Sequence, residues 1–189
     1  MQKNGSDLIA VSSAAALRRS HLPQRLALVG DTQAALLTQL QAFMESGERE
    51  AETAVLSPSP LVFVFSGQGT QWLGMGQTLY AQEPVFRATL DACDAILQPI
   101  AGWSLLAELN APPETSRLDD TLVAQVAIFA MQVALAALWH SWGIIPAAIV
   151  GQSLGEVAAA HAAGALSLED ALRVVFHRSR VMQQVEGKG

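Results

Sequence analysis

The chain has 189 residues, of which 51% are hydrophobic and 15% charged, so it can form one domain with a substantial core and a small second unit. Its formal net charge of −6 argues against nucleic acid or an anionic membrane surface as a main partner. The single cysteine, Cys93, excludes an internal disulfide and any metal site built from several cysteines. We therefore predict no metal site and expect a reducing, cytoplasmic compartment.

The first 60 residues have the pattern of a small α/β unit followed by a linker. The predicted elements in chain order are a strand over 8–11, a helix over 12–20, a strand over 25–29 and a helix over 33–45. Asp31 or Thr32 can cap the last of these helices. Residues 46–60 are polar and then contain Pro and Ser, which is typical of a linker.

The composition changes at residue 61. Leu61–Phe65 is continuously apolar, as expected of a strand buried on both faces of a parallel sheet. The helices predicted next cover 73–79, 84–97 and 105–109, and residues 118–122 lead into a long helix that ends near 142. A strand begins at 147, and the helix after it ends at about 163. A last helix covers 168–184. In the second helix, the predicted inner positions are Val85, Leu90, Cys93, Ile96 and Leu97. We summarise the order as β–α–α–α–β–α–α, which predicts an open α/β sheet with too few strands to be complete.

The long helix raises the question of a membrane. No Asp, Glu, Lys or Arg occurs from Thr121 to Gly155, and residues 122–142 are long enough to cross a bilayer. However, Gln125 and Gln132 interrupt the run, and the chain passes from it directly into a strand. We therefore predict a buried helix rather than a membrane span.

The next strand leads into Gly151-Gln-Ser153-Leu-Gly155, the G-x-S-x-G pattern of a nucleophile elbow. The chain must turn from strand to helix within a few residues, so side chains beside the serine would collide, which explains the two glycines. Ser153 would then be exposed at the strand end, beside free N–H groups of the helix start. Ser153 and Glu156 also form the S-x-x-E capping box, which is compatible with the elbow. The elbow alone fits any serine hydrolase.

The motifs together resemble those of malonyl-CoA:acyl-carrier-protein transacylases. They are Phe65-Ser-Gly-Gln-Gly-Thr-Gln71, Gly151-Gln-Ser-Leu-Gly-Glu156 and Arg178-Ser-Arg180, with Glu156-Val-Ala-Ala-Ala-His161 and Gly164-Ala-Leu-Ser-Leu-Glu-Asp170 around the elbow. Residues 61–189 resemble the acyltransferase domain of a modular type I polyketide synthase. Residues 1–60 resemble, more weakly, the linker between a ketosynthase and an acyltransferase domain. The resemblance implies the first part of an α/β-hydrolase-like large subdomain, truncated before the small subdomain.

The resemblance also implies roles for particular residues. Ser153 would accept an acyl group from coenzyme A as an ester and pass it to the phosphopantetheine thiol of an acyl carrier protein. The backbone N–H groups of Gln68 and Leu154 would hold the oxyanion. Gln125 would line the site, and Arg178 would pair with the free carboxylate of a malonyl-type group, for which a guanidinium fork is suited. No bound cofactor is implied, and a neighbouring ketosynthase domain is an implied partner.

Two positions depart from the family pattern. Gln152 stands where the family usually has histidine. Its amide can hydrogen-bond but, unlike an imidazole, cannot titrate, and we place Gln152 among the substrate-binding residues. The family's catalytic histidine, the base for Ser153, lies further along than this chain extends. None of the four histidines of this chain matches that position: His21, His140, His161 and His177. His161 lies eight residues from Ser153, roughly 12 Å along a helix. We expect the chain alone to be inactive or nearly so.

Two other functions stay open from the sequence. One is a serine hydrolase of the α/β-hydrolase type, which would share the elbow but give no role to Arg178 or the Gln68 loop. The other is a non-catalytic docking segment that holds neighbouring synthase domains. If the acyltransferase interpretation holds, Arg178 favours malonyl or methylmalonyl over a plain acyl group, and Leu154 inclines the choice toward malonyl.

Overall fold

The computed structural model describes residues 5–20, 22, 24–46 and 60–185. The chain divides into two compact units, Met1–Ser59 and Pro60–Gly189. The predicted linker over 46–60 lies almost wholly outside the described residues, as does His21.

Two helices form the described part of the N-terminal unit: α1 (Gly5–Leu17) and α2 (Gln33–Glu45). The cap at Thr32 is confirmed, because its Oγ1 accepts a hydrogen bond from the Ala35 N–H at 3.2 Å. The strands predicted over 8–11 and 25–29 are wrong. Residues 8–11 belong to α1, and 25–29 form no strand, since alternation alone gives no strand unless a partner is available to pair with it.

The second unit contains two strands and six helices among its described residues. In chain order they are β1 (Val62–Phe65), α3 (Gln77–Gln82), α4 (Pro84–Ala101), α5 (Leu105–Leu109), α6 (Thr121–Ser141), β2 (Ala148–Gly151), α7 (Leu154–Ala162) and α8 (Leu168–Val185). Four helices therefore separate the strands, which matches the four helices predicted one by one and is one more than the summary order β–α–α–α–β–α–α. The chain has the predicted α/β character.

The two strands are parallel, with Val62 opposite Ala148 and Phe65 opposite Gly151. The prediction that β1 is buried on both faces is wrong for the described residues. Phe65 is buried, but Val64 on the other face is 75% exposed. Side chains of a strand alternate between faces, and the described helices cover the Phe65 face of β1.

Helix α6 is the centre of the core and packs against α4, α7 and α8. It is long and apolar enough to cross a membrane, but 67% of its most apolar 18-residue window is buried inside the unit. The buried-helix prediction therefore agrees with this packing. Its Ala124, Ala127, Ala130 and Ala134 are fully buried, which lets neighbouring helices approach closely.

Helix α4 confirms most of the predicted inner positions. Leu90, Cys93 and Leu97 are buried. Val85 is wrong, because it is 38% exposed, whereas Phe86 is fully buried. A shift of one residue rotates a side chain by about 100° around a helix, so a small error in phase exchanges an exposed position for a buried one.

Candidate active site

Ser153 occupies the turn between β2 and α7, as the elbow pattern predicts. It is exposed, and with φ 55° and ψ −114° it is the only non-glycine residue with positive φ among the described residues. Such backbone is strained for a side-chain-bearing residue and persists only where its surroundings enforce it. The Glu156 Oε1 accepts a hydrogen bond from the Ser153 N–H at 3.2 Å, which helps to hold this turn.

The two elbow glycines are required by close backbone contacts. A Cβ at Gly155 would lie 2.1 Å from the Phe65 carbonyl oxygen, and one at Gly151 would lie 2.4 Å from the Gly155 carbonyl oxygen. Both distances are far below van der Waals contact. The predicted steric reason for the glycines is therefore confirmed, and α7 begins directly against the end of β1.

Arg178 on α8 reaches the elbow from a distant part of the chain. Its Nη2 donates a hydrogen bond to the Ser153 Oγ at 2.9 Å, and its Nη1 donates to the Gln125 Oε1 at 2.6 Å. No carboxylate among the described residues pairs with Arg178, whereas Arg173 on the same helix pairs with Glu169. A half-buried guanidinium without an anionic partner, next to an exposed hydroxyl, is a ready site for a substrate anion.

Gln125 and Gln68 extend this contact across the site. Gln125 is 1% exposed, and its Nε2 donates to the Gln68 Oε1 at 3.0 Å and lies 3.5 Å from the Met182 Sδ. The Gln68 Nε2 in turn donates to the Thr121 Oγ1 at 3.4 Å. The structure thus brings Ser153, Arg178, Gln125 and Gln68 together, although they are far apart in the sequence.

Leu154 and Gln152 flank the nucleophile in different ways. Leu154 is the first residue of α7 and is fully buried, and its N–H is one of the helix-start donors that have no acceptor within the helix. Gln152 has an exposed side chain and is fixed through its backbone, because its N–H donates to the Phe65 oxygen at 3.0 Å and its oxygen accepts from the Gly155 N–H at 2.9 Å.

The loop that carries Gln68 lies directly beside the elbow. A Cβ at Gly67 would be 3.6 Å from the Ser153 Cβ, which is an ordinary contact distance. At its start the loop is tied to α6, since the Gln132 Nε2 donates to the Ser66 carbonyl oxygen at 2.8 Å. The sequence motifs assign no site role to Gln132, Thr121 or Met182. The signal available for Gln132 was an amide in an otherwise uncharged, apolar helix.

None of the described histidines contacts Ser153. The His161 Nδ1 is 3.0 Å from the Leu166 carbonyl oxygen, and the rings of His140 and His177 lie against Phe63 and Phe176. Arg178 cannot serve as the base, because a guanidinium remains protonated and has no acceptor. It can stabilise negative charge on the Ser153 oxygen or on a bound acid.

Cys93, the single cysteine of the chain, is buried in α4. Burial raises the pKa of its thiol from 9.0 to about 12, so it carries almost no thiolate near neutral pH. The described residues also contain no group of three or more His, Cys, Asp and Glu side chains that could hold a metal ion. The chemistry of the site therefore rests on Ser153, a cation and amide groups.

Comparisons with known proteins agree with this arrangement. Residues 62–189 match the family model described as the acyl transferase domain. Erythronolide synthase EryA2 of Saccharopolyspora erythraea is 39% identical over 194 aligned positions, which cover 100% of this chain and 5% of that protein. The chain thus spans about one twentieth of that relative.

Two solved structures extend the comparison. The acyltransferase domain from the second module of the salinomycin polyketide synthase is 40% identical with a TM-score of 0.73, over 94% of this chain and 42% of that one. A malonyl transacylase solved in complex with its type II polyketide synthase acyl carrier protein is 34% identical with a TM-score of 0.60, over 67% of this chain and 40% of that one.

Proposed function

Because the chain belongs to the acyl transferase domain family, we propose that it transfers a malonyl-type acyl group from coenzyme A to an acyl carrier protein through Ser153. Support for the malonyl group and the acceptor comes from the solved malonyl transacylase, which is similar to this chain and binds a carrier protein. The serine hydrolase and docking alternatives receive no support from these relatives.

One observation carries the proposal: the Arg178 Nη2 lies 2.9 Å from the Ser153 Oγ. In a malonyl thioester, one CH₂ group separates the two carbonyl carbons, which are about 2.5 Å apart. A carboxylate held by Arg178 therefore brings the thioester carbon within reach of Ser153. A longer dicarboxylate would have to fold back on itself, and a plain acyl group would leave Arg178 without its anion. Methylmalonyl has the same spacing as malonyl, so both fit this argument.

The proposed reaction has two matching halves. The Ser153 oxygen attacks the thioester carbon, and backbone N–H groups of Gln68 and Leu154 hold the oxyanion of the tetrahedral intermediate. The carbon–sulfur bond then breaks, coenzyme A leaves as its thiol, and the acyl group remains as a serine ester. The carrier-protein phosphopantetheine thiol attacks this ester, and Ser153 regains its proton. A base outside the described residues must move that proton in both halves.

We also propose a role for the N-terminal segment and a neighbouring domain. We assign residues 1–60 to a linker of the ketosynthase–acyltransferase type, which makes a ketosynthase domain a neighbouring partner. The alignment with erythronolide synthase supports this, because it extends over 100% of the chain, beyond the residues that the family model matches. We also propose a cytoplasmic location and no bound cofactor, since the substrates supply the reacting thiols and the one cysteine is a buried free thiol.

A transfer assay tests the proposal. Residues 62–185 would replace the matching segment of the salinomycin acyltransferase domain, which keeps the rest of its own chain. We expect the hybrid to load malonyl or methylmalonyl on Ser153 and pass it to a carrier protein, and we expect Ser153→Ala to abolish both steps. Acetyl transfer should be about 10- to 100-fold weaker, because one charge-assisted hydrogen-bond pair is lost.

Two outcomes would overturn the proposal. Hydrolysis of a neutral ester that Arg178→Ala leaves unchanged would identify a serine hydrolase. Binding to a ketosynthase or carrier protein by a folded hybrid that transfers no acyl group would identify a docking segment. Circular dichroism of each variant, compared with the parent domain, ensures that a lost activity is not lost folding.

A further inference from the structure

A continuous line of side-chain hydrogen bonds runs from α8 to the start of α6. The Arg178 Nη1 donates to the Gln125 Oε1 at 2.6 Å, the Gln125 Nε2 donates to the Gln68 Oε1 at 3.0 Å, and the Gln68 Nε2 donates to the Thr121 Oγ1 at 3.4 Å. We call these four residues the amide relay. The bond to Thr121 is at the long end of hydrogen-bond distances, and the bond to Arg178 is short and charge-assisted.

The relay has a fixed direction. A guanidinium only donates, so Gln125 must present its oxygen to Arg178 and its NH₂ group to Gln68. Gln68 must then accept with its oxygen, which turns its own NH₂ group toward Thr121. Reversing either amide would bring donor against donor. The Thr121 hydroxyl, which can rotate to accept, satisfies the last donor of the line.

Burial makes this arrangement of donors and acceptors costly to break. Gln125 is 1% exposed and Thr121 is 6% exposed, so water cannot readily replace a partner that either of them loses, whereas Gln68, which links them, is exposed. Gln125 also has its oxygen on Arg178 and its nitrogen on Gln68 and near Met182. Both polar atoms of the Gln125 amide therefore have partners. Gln125 has no free polar atom for a substrate, so it influences the site through Arg178 and Gln68.

We propose that Thr121 is a positioning residue: its hydroxyl fixes the amide relay, which orients Arg178 for the carboxylate of the acyl group and holds the Gln68 loop beside Ser153. This inference rests on the proposed function. It implies that an acid bound at Arg178 and the oxyanion-binding loop are held by one network. Every acyl group uses the oxyanion-binding loop but only an acidic one uses Arg178, so acidic acyl groups depend on Thr121 more strongly than neutral ones do.

The relay itself can be tested on the whole chain without any acyl donor. Two-dimensional ¹H–¹⁵N NMR resolves the side-chain NH₂ groups of Gln68 and Gln125 and the Arg178 Nε–H. We expect Thr121→Val to shift all three sets of signals, and Thr121→Ser, which restores a hydroxyl, to return them toward their original positions. Thr89→Val is the matched control, because the Thr89 hydroxyl bonds the Val85 oxygen on α4, away from the site.

A second variant covers the case in which Thr121→Val does not fold. Gln68 is exposed, so Gln68→Met should fold, and it should shift the Gln125 and Arg178 signals because Gln125 loses its acceptor. The Arg178 Nε–H signal of folded Thr121→Val is compared with that of the Thr89→Val control, and Gln68→Met is used if Thr121→Val does not fold. An Arg178 signal at the same position as in the control would mean that the amide relay does not exist as we describe it.

The functional part is read in the transfer assay of the hybrid domain. We expect Thr121→Val to lower kcat/KM for malonyl about three- to tenfold, acetyl transfer to fall less than about twofold, and Thr121→Ser to recover malonyl transfer. Equal losses for malonyl and acetyl would mean a purely structural role and would overturn the inference. A hybrid that transfers no malonyl, with the NMR shifts present, would instead count against the proposed function alone.

Discussion

Replacing Gly155 with alanine tests the geometry of the elbow most sharply. The new Cβ would lie 2.1 Å from the Phe65 oxygen, 2.5 Å from the Phe65 carbon and 2.7 Å from the Ser66 oxygen. All three atoms are backbone, so no side chain can rotate away. To reach even 3.0 Å from the Phe65 oxygen, α7 and β1 must separate by about 0.9 Å. We expect the free energy of unfolding to fall by about 3 kcal/mol, at the upper end of overpacking costs.

Gly67→Ala is the matched control, because it adds the same methyl group in the same loop-and-elbow region. Its nearest contacts are the Gln152 oxygen at 3.5 Å and the Ser153 Cβ at 3.6 Å, which are ordinary distances. We expect it to change the free energy of unfolding by less than about 1 kcal/mol. The difference between the two variants therefore isolates the backbone collision at Gly155.

Urea unfolding followed by tryptophan fluorescence measures both variants. The four tryptophans are Trp72, Trp103, Trp139 and Trp142, so the signal reports the second unit alone. In thermal unfolding, the Gly155→Ala loss should lower Tm by roughly 10 °C. A Gly155→Ala protein within about 1 kcal/mol of the original, or one no less stable than Gly67→Ala, would refute the close approach of α7 to β1.

Three further predictions concern stability. Burial raises the pKa of Cys93 from 9.0 to about 12, so the stability that its protonated thiol contributes is full below pH 9 and is lost between pH 9 and 12. The free energy of unfolding measured with urea should fall there by up to about 1.4 kcal/mol per pH unit, and Cys93→Ala should make this decrease smaller. Glu156→Ala should cost about 1 kcal/mol in the same assay, because the Ser153 N–H loses its acceptor, whereas Glu156→Gln should keep most of it; equal losses would contradict the bond. Thr32→Ala should destabilise α2 by about 1 kcal/mol, read as faster amide exchange at Ala35, and unchanged exchange would count against the cap.

The parts of the site that sequence predicts well depend on local spacing. The elbow pattern lies within Gly151 to Gly155, because a strand-to-helix turn restricts its own neighbours. The collision that excludes a side chain at Gly155, however, is with Phe65 on the other strand. The cap at Thr32 likewise involves a partner three residues away, and it forms as predicted. The Ser167 hydroxyl accepts from the Asp170 N–H, also three residues away, in the same way. Such contacts follow from backbone geometry alone, so a single sequence is sufficient to predict them.

The sequence pattern does not predict contacts between elements that are distant along the chain. Arg178 and Gln125 are 53 residues apart and meet only because α8 packs against α6. The family resemblance named both residues but not their contact, and it named neither Thr121 nor Met182. The exposure of Val64 has a similar cause, since an apolar strand has the same sequence whether one face or both are covered.

The most direct test of the central claim is the acylation of Ser153 in the 189-residue chain itself, measured by peptide mass spectrometry with malonyl-CoA and acetyl-CoA. We predict slow malonyl labelling at Ser153, faster labelling when imidazole supplies a base, at least about a tenfold preference for malonyl, and loss of that preference in Arg178→Ala. A malonyl preference that survives Arg178→Ala, or malonyl labelling that survives Ser153→Ala, would contradict the account.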